Sequence, residues 1–533
     1  MASSLNTNSI RSFNLFCIYS TIVIALTTIA SFSTLAVTPV ERGHVLWQNN
    51  QTEQAGQGSG TLLSIPPHGN VLFITNAVPN NSATHLFHVP VENMRGTFVF
   101  LSADVRAEGI SAKPHPWNGI KVMAIITTIG GKQYPQPELP VGTFEWRHAS
   151  TRILIPSNTV SLDVVVGLEQ VTGKAWFSNL QMTYSKTAES AAPAPANQPI
   201  YRGHNFSRLR GAMISPASLR ESDLKTLSLD WGANLIRWQL IQTAHDISVD
   251  SNYQAYDKWL DAELAHMDEG LRWAGTMGTK IVIDLHSPPG GLKSSGGYKA
   301  AIGDFWTDTH AQNKFVQVWQ KIAQRYKGDN RIWGYDLVNE PVDDNTSETC
   351  MDWQELSLAT AKAIREIDPQ RTLIIEPPQW GSAQGFVGFH PIPVSNIVYS
   401  FHFYLPMEFT HQGVFGPSEP VTYPGRIAGV DWNKTQIQAA MAPAIEFAQR
   451  YRVHMYVGEF SAIRWAPGAE KYISDLIDTI EDHGWDWTYH AYREWDGWSV
   501  EHGTNKNDHT VATSPTPRKQ VLLKWFQKDE RAK

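Results

Sequence analysis

Between Tyr201 and His490 the chain alternates short apolar runs with amphipathic helical patterns, a rhythm that few folds accept. The strand-like runs are Asn234 to Arg237, Lys280 to Leu285, Ile332 to Val338, Thr372 to Ile375, Ile397 to Phe403, Val453 to Val457 and Asp486 to His490, with an opening strand expected near Tyr201 to Phe206. Between them, Leu260, Leu264, Met267, Leu271 and Ala274 recur at steps of four and three, which places one apolar face inward. Asp352 and Glu355 make a capping-box pair ahead of Leu356, Ala359, Ala363 and Ile367. Eight strands alternating with helices over residues 200–533 predict an α/β fold, a (β/α)8 TIM barrel. A doubly wound sheet is the alternative, but no Gly-x-Gly-x-x-Gly turn follows an early strand.

Residues 186–199, Lys-Thr-Ala-Glu-Ser-Ala-Ala-Pro-Ala-Pro-Ala-Asn-Gln-Pro, lack large apolar side chains and read as an Ala/Pro linker. Ahead of it, residues 37–185 carry β-rich runs punctuated by Gly, Pro and Asn: Val71 to Thr75, Thr97 to Val105, Ile120 to Ile129, Thr151 to Ile155, Ser161 to Leu168 and Ala175 to Tyr184. Such spacing without helical periodicity predicts an all-β antiparallel sandwich. The segments Arg95-Gly-Thr-Phe-Val-Phe100, Pro116-Trp-Asn-Gly119, Thr143-Phe-Glu-Trp-Arg147 and Val171-Thr-Gly-Lys-Ala-Trp-Phe177 resemble jelly-roll carbohydrate-binding modules of the galactose-binding-like class. Ser178 stands where that group often has an Asp, so a structural calcium is not implied. Trp117, Tyr134 and Trp146 are either ligand platforms or residues that fill the core and shield loops.

At the amino end, Arg11 precedes a mostly apolar stretch from Phe13 to Val37 that closes on Thr34-Leu35-Ala36. Residues 1–36 therefore read as a cleaved secretory signal peptide, with a signal anchor as the competing reading, and the protein is expected to be secreted or extracellular, or periplasmic in a Gram-negative bacterium. Of the two cysteines, Cys17 lies in that segment and Cys350 is left alone, so no internal disulfide is expected in the mature chain. There is no Cys pair, no His-Glu-x-x-His and no Asp-rich calcium loop, so neither metal nor cofactor is expected. A net charge of −7 without a basic run argues against nucleic acid as a partner. Asn50, Asn80, Asn205, Asn345 and Asn433 open glycosylation acceptor patterns, and nothing in the sequence signals an oligomer, so a monomer is expected.

In a barrel of this kind functional groups gather at the carboxyl ends of the strands. Reading each run to its end collects Arg237, His286, Asn339, Glu340, Glu376, His402, Tyr404 and Glu459, a set unusually polar and acidic for strand termini. Two of the Glu follow near-continuous apolar runs, Trp333-Gly-Tyr-Asp-Leu-Val-Asn-Glu-Pro341 and Val453-His-Met-Tyr-Val-Gly-Glu-Phe460.

Asn339-Glu340-Pro341, Gly458-Glu459-Phe460, His402-Phe403-Tyr404, Arg237 and His286 together resemble glycoside hydrolase family 5 of clan A, over about residues 200–500. The resemblance implies a retaining β-glycosidase acting on cellulose, mannan or related β-glucans, with Glu340 as acid/base and Glu459 as nucleophile. Such chemistry needs two carboxyl groups about 5–5.5 Å apart. By the same resemblance Asn339 holds the sugar 2-hydroxyl, Tyr404 orients Glu459, and His286 and His402 bind hydroxyls, unless either His is structural. Arg237 beside Glu459 favours its ionised form. Trp495 is the expected platform under the scissile sugar, although His490 occupies a point where many members carry an aromatic, which leaves Trp498 open. Glu376 is read as a support for strand five.

Tryptophan is abundant, 20 against 21 Phe and 17 Tyr. Trp259, Trp319 and Trp525 fall in helical patterns and are expected to pack, whereas Trp306, Trp380, Trp495 and Trp498 fall in loops on the active face and suit sugar stacking. The leading expectation is an endo-β-1,4-glucanase (cellulase) with polysaccharide or oligosaccharide as its partner. The alternatives are a β-mannanase or β-1,3-glucanase, the latter suggested by His286-Ser-Pro-Pro-Gly-Gly291, and a non-catalytic carbohydrate-binding protein.

Overall fold

The computed structural model describes residues 41–49, 57–128, 130–187, 191–216, 219–242, 253–290, 304–343, 346–414 and 420–529. The signal segment 1–36 with Cys17, and the acceptor residues Asn50 and Asn345, lie outside the described residues. From Glu41 onward the chain packs as one compact unit.

Its first part is two antiparallel sheets. One runs in the order Thr61–Ile65, Gly69–Asn76, Gly173–Thr187, Thr97–Ile110, Gly142–Ile155, with Val45–Gln48 also paired to Gly173–Thr187. The other runs Gln57–Gly58, Ala83–Val89, Thr159–Glu169, Gly119–Thr128, Gly131–Gln133. Period-two alternation builds the core between them: Val99, Leu101, Ala103 and Val105 from the first sheet meet Val122, Ala124, Ile126, Val164, Val166 and Leu168 from the second. The strand Ala83–Val89 is absent from the sequence reading because its His85 and His88 break the apolar alternation.

The second part is a closed barrel of eight parallel strands: Arg210–Ile214, Leu235–Gln239, Lys280–Asp284, Ile332–Asp336, Thr372–Ile375, Ile397–Phe403, Met455–Phe460 and Asp486–Tyr492. Helices such as Gln254–Met277, Thr309–Tyr326, Trp353–Ile367 and Ala469–Asp482 surround it. The opening strand differs from expectation. Tyr201–Phe206 forms no strand; Tyr201 and Phe206 pack beneath the barrel, where His204 meets Asp486 at 2.7 Å. Arg210–Ile214 escapes notice in the sequence because it is built on small residues. A Cβ on Gly211 would fall 1.7 Å from the Leu235 carbonyl oxygen, so the tight seam between the first two strands requires glycine.

Leu260, Leu264, Met267, Leu271 and Ala274 all lie buried on one face of their helix. The helix Trp353–Ile367 carries the capping box, but its buried face is Trp353, Leu356, Ser357, Thr360, Ala361 and Ile364, with Ala359, Ala363 and Ile367 only half-buried. Thr360 is accommodated there because its hydroxyl donates to the Leu356 carbonyl at 2.8 Å. Residues 191–199 form neither helix nor strand, and they lie against the barrel: Ala194 N donates to Arg450 O at 3.0 Å and Arg452 Nε to Gln198 O at 3.0 Å.

The same period of two that orders the sandwich sorts the barrel interior by height. Leu235, Val282, Ile374 and Val398 fill its lower layer together with Leu209, Trp333 and Tyr456. One pleat further along the same strands stand Arg237, Asp284, Glu376 and, two pleats on, His402. Apolar residues thus seal the floor and charged ones emerge at the mouth.

Candidate active site

The centre of the mouth is a guanidinium. Arg237 is fully buried, and its fork reaches Glu459 Oε1 at 2.6 Å, Asp336 Oδ2 at 3.0 Å, Glu376 Oε1 at 3.1 Å and Asp284 Oδ1 at 3.1 Å. It also donates to Asn339 Oδ1 at 3.2 Å. Four carboxylates from strands three, four, five and seven therefore share one cation, an arrangement that only the curvature of a closed sheet can supply. Burial pushes the Asp336 carboxyl well above the usual carboxylate range against the pull of Arg237, with Glu376 and Asp284 adding to the push.

Glu459 belongs to this core and Glu340 stands beside it. Glu340 directly follows Asn339, just beyond the fourth strand, with a left-handed backbone (φ 49°), and its amide donates to Glu376 Oε2 at 2.9 Å. A left-handed conformation is costly for a residue with a side chain and persists where surrounding contacts impose it. Glu459 lies within the seventh strand and is almost wholly buried. A carboxylate oxygen of Glu340, one of Glu459 and a ring nitrogen of His402 all lie within 4.8 Å of one another. His402 Nδ1 is 2.9 Å from Glu340 Oε1, and Nε2 is 3.1 Å from Glu376 Oε1 without the alignment of a hydrogen bond.

The two Glu are shifted in opposite directions. Burial raises the Glu340 carboxyl, with Glu459 and Glu376 adding to the rise and His402 opposing it. For Glu459 burial acts in the same upward direction, but His402, His490, Arg237 and His286 outweigh it and hold the group far below the ordinary range. His402 itself is raised well above the usual imidazole value: burial opposes its charge, but Glu376, Glu459 and Glu340 outweigh that. The site therefore shifts the two carboxyl groups apart, Glu340 upward and Glu459 downward.

Of the residues expected from sequence, Arg237, Asn339, Glu340, His402, Tyr404 and Glu459 come together in one hydrogen-bonded cluster, in which the Tyr404 hydroxyl donates to Glu459 Oε2 at 2.9 Å. His286 joins through Asp284, with Nδ1 2.8 Å from Oδ2. Trp380 and Trp495 stand at the rim with more than two-fifths of their surface exposed, Trp380 with its amide donating to Pro341 O at 3.2 Å. Trp306 and Trp498 are corrections. Trp306 is fully buried beside Trp353 and Phe305, and Trp498 is 7% exposed, packed behind Tyr404, His411 and His490. Neither offers a free face to a sugar, because the loops that carry them fold into the core.

Sequence reasoning missed His490, Glu494 and Gln239, and underrated Glu376. His490 Nδ1 lies 2.7 Å from the Tyr404 hydroxyl, and Gln239 Nε2 donates to Glu494 Oε2 at 3.0 Å. Glu376, read as a support, is wholly buried and touches Arg237, His402 and the Glu340 amide. The available signal was positional for two of them: Gln239 closes the second barrel strand and Glu376 directly follows the fifth, whereas His490 lies within the eighth strand and Glu494 two residues beyond it.

The family described as cellulase (glycosyl hydrolase family 5) matches residues 193–496. The chain belongs to glycosyl hydrolase family 5. Among the relatives of this family 5 chain, Endoglucanase C of Acetivibrio thermocellus is 30% identical over 261 residues, covering 42% of the chain and 72% of the relative. Cellodextrinase A of Ruminococcus flavefaciens is 26% identical over 253 residues, covering 46% and 69%. The crystal structure of endoglucanase Cel5A from Thermotoga maritima aligns with 59% of the chain and 96% of its own length at 23% identity and a TM-score of 0.45. The family 5 chain is a glycoside hydrolase. Among the described residues no helix is long and apolar enough to cross a membrane.

Proposed function

We propose that this family 5 hydrolase is a secreted retaining enzyme that cleaves β-linked polysaccharide internally, as an endo-β-1,4-glucanase, by double displacement. The observation that carries the reading is the approach of the Glu340 and Glu459 carboxylate oxygens to within 4.8 Å. That separation suits direct attack on the anomeric carbon, whereas an inverting pair stands about 6.5–9.5 Å apart to admit a water. The names of the relatives, an endoglucanase and a cellodextrinase, favour a β-1,4-glucan. The accessory sandwich reaches the end of the strand Gly173–Thr187, two residues past the boundary expected at 185, so the connector is shorter than 186–199, and residues 200–533 make the catalytic domain.

Glu459 attacks the anomeric carbon while Glu340 passes its proton to the leaving glycosidic oxygen. Water, deprotonated by Glu340, then releases the sugar from Glu459. Arg237, His402 and the Tyr404 hydroxyl keep Glu459 ionised and aimed. Asn339 spends its carbonyl on Arg237, which leaves Nδ2 to donate to the sugar 2-hydroxyl. Trp380 and Trp495 offer the exposed rings on which further sugars stack. A purely binding role needs no such separation of protonation states between two adjacent carboxyls.

Reducing-sugar release across carboxymethylcellulose, mannan and laminarin tests the substrate: fastest release on carboxymethylcellulose is expected, and preference for mannan or laminarin moves the assignment to β-mannanase or β-1,3-glucanase. Proton NMR of the first product tests the stereochemistry, with the β-anomer expected and the α-anomer excluding double displacement.

The pH profile of kcat/KM follows from the two shifts. Glu459 is depressed, so its acid limb lies well below the ordinary carboxylate range; Glu340 is raised, so its alkaline limb lies above that range. Activity is expected across the window between them, and the alkaline limb should vanish in Glu340→Gln assayed on an activated aryl glycoside. By the same linkage the Glu459 contribution to stability is present above the unfolded carboxylate value and is lost as pH falls through the folded one.

A further inference from the structure

The two parts of the chain meet across a surface of opposite charge, and the barrel side of that surface is the loop that follows Glu340. On the strand Gly142–Ile155, His148, Ser150 and Arg152 share the face opposite the buried Ala149 and Ile153. Arg152 is 2.6 Å from Asp352 Oδ2, and Lys186, from the strand Gly173–Thr187, pairs with the same carboxylate. Both cations also approach the Phe98 ring, whose centroid is 4.1 Å from the Arg152 guanidinium carbon and 5.5 Å from Lys186 Nζ. Ser150 Oγ donates to Glu348 Oε1 at 2.9 Å, and His148 Nε2 lies 3.3 Å from the same oxygen. Glu348, with Asp104, pushes His148 up to about 9, so it is a cation at neutral pH. Arg42 pairs with Glu355 at 3.2 Å and donates to the Cys350 carbonyl at 2.6 Å. Although it faces away from the sandwich core, Phe100 is only 1% exposed, under Arg42.

From this surface a continuous path leads to the proposed acid. Asp352 caps the helix Trp353–Ile367 by accepting from Glu355 N at 2.8 Å. Trp353, the first helical residue, donates its amide to Asp343 Oδ2 at 3.0 Å and its indole N–H to Glu376 O at 2.7 Å. Glu376 in turn accepts from the Glu340 amide. Trp353 therefore holds both Asp343, in the segment that leaves Glu340, and the main chain of Glu376, whose carboxylate accepts from the Glu340 amide.

We propose that the N-terminal sandwich is a brace for the general-acid loop, gripping Glu348, Asp352 and Glu355 so that Glu340 is held at its working position. The sandwich then serves the chemistry itself, whatever glycan its own surface binds. Arg152, Lys186 and Asp352 are positioning residues that act through Trp353 and Glu376. The inference rests on Glu340 being the general acid.

The test uses the full chain and two aryl β-glycosides of the glycan it hydrolyses, one with a 2,4-dinitrophenyl leaving group that departs without a proton and one with phenyl, which needs it. In Arg152→Met/Lys186→Met, kcat/KM for the phenyl substrate is expected to fall about tenfold, while the dinitrophenyl substrate changes by less than about twofold. Asp352→Asn retains a capping side chain, should show the same selective loss, and should add little in the triple variant. Arg152→Lys should restore most of the activity. Equal losses on both substrates, as partial unfolding would produce, overturn the brace, and so does no loss on either. Glu340→Gln on the same pair separates the two levels. If it fails to discriminate the leaving groups, the acid assignment and the brace fall together; if it discriminates and the brace variants do not, only the brace falls.

Discussion

Glu459→Gln and Glu340→Gln each cut turnover on polysaccharide by on the order of 10³-fold or more, with the fold intact by circular dichroism and thermal melting. The expectation rests on their geometry. Both carboxyl groups face one gap, Glu340 shifted upward and Glu459 downward, and the His402 ring is held between Glu340 and Glu376. Azide distinguishes the two roles. In Glu459→Gly, azide occupies the vacated space and attacks the anomeric carbon of an activated aryl glycoside; the aryl oxide leaves and an α-glycosyl azide accumulates. In Glu340→Gly, attack comes on the glycosyl-enzyme from the other face and the product is the β-azide. If either glutamine variant keeps near-normal rates on every β-glycan tested, the assignment of that residue is wrong.

Arg237→Met is the most damaging change expected outside the two Glu. The substitution removes a cation that reaches Asp284, Asp336, Glu376 and Glu459 together, in a site with no exposed surface on the guanidinium. Removing one partner of a buried ion pair costs about 3–5 kcal/mol, because an uncompensated charge remains. Against a total stability of roughly 5–15 kcal/mol, that loss is expected to lower the urea midpoint sharply or to leave the variant unfolded. Arg237→Lys keeps the charge without the fork, so it should fold with an intermediate midpoint and with the acid limb of kcat/KM moved upward, since Glu459 loses its closest guanidinium contact at 2.6 Å. A wild-type midpoint and acid limb in Arg237→Met would show that the carboxylates manage without it.

Much of the site could be read before any coordinates. Asn339-Glu340-Pro341 and Gly458-Glu459-Phe460 are local patterns at the ends of apolar runs, and a strand end in a barrel faces the mouth wherever the remaining strands go. Asp284, Asp336 and Glu376 sit in equally apolar runs, yet their role depends on Arg237 lying 3.0–3.1 Å from each of them, which is a property of closure. His490 and Gln239 were missed for the same reason: each acquires its meaning from a partner in another part of the barrel, Tyr404 in one case and Glu494 in the other. The tryptophans divided differently. Loop position suggested four sugar platforms, and burial removed Trp306 and Trp498, since local sequence does not say whether a loop folds over the core or away from it.

The sequence by itself determined the period of each segment, the floor and mouth of the barrel, and the two carboxylates, because alternation along a strand and position at its end are one-dimensional properties. Only the tertiary structure decided which charges share Arg237, in which direction each Glu is shifted, and that the sandwich pairs with Glu348, Asp352 and Glu355 beyond Glu340. Those outcomes depend on through-space distance and on burial, and the partners concerned lie 36 to 313 residues apart in the chain, as Glu340–Glu376 and Arg42–Glu355 do.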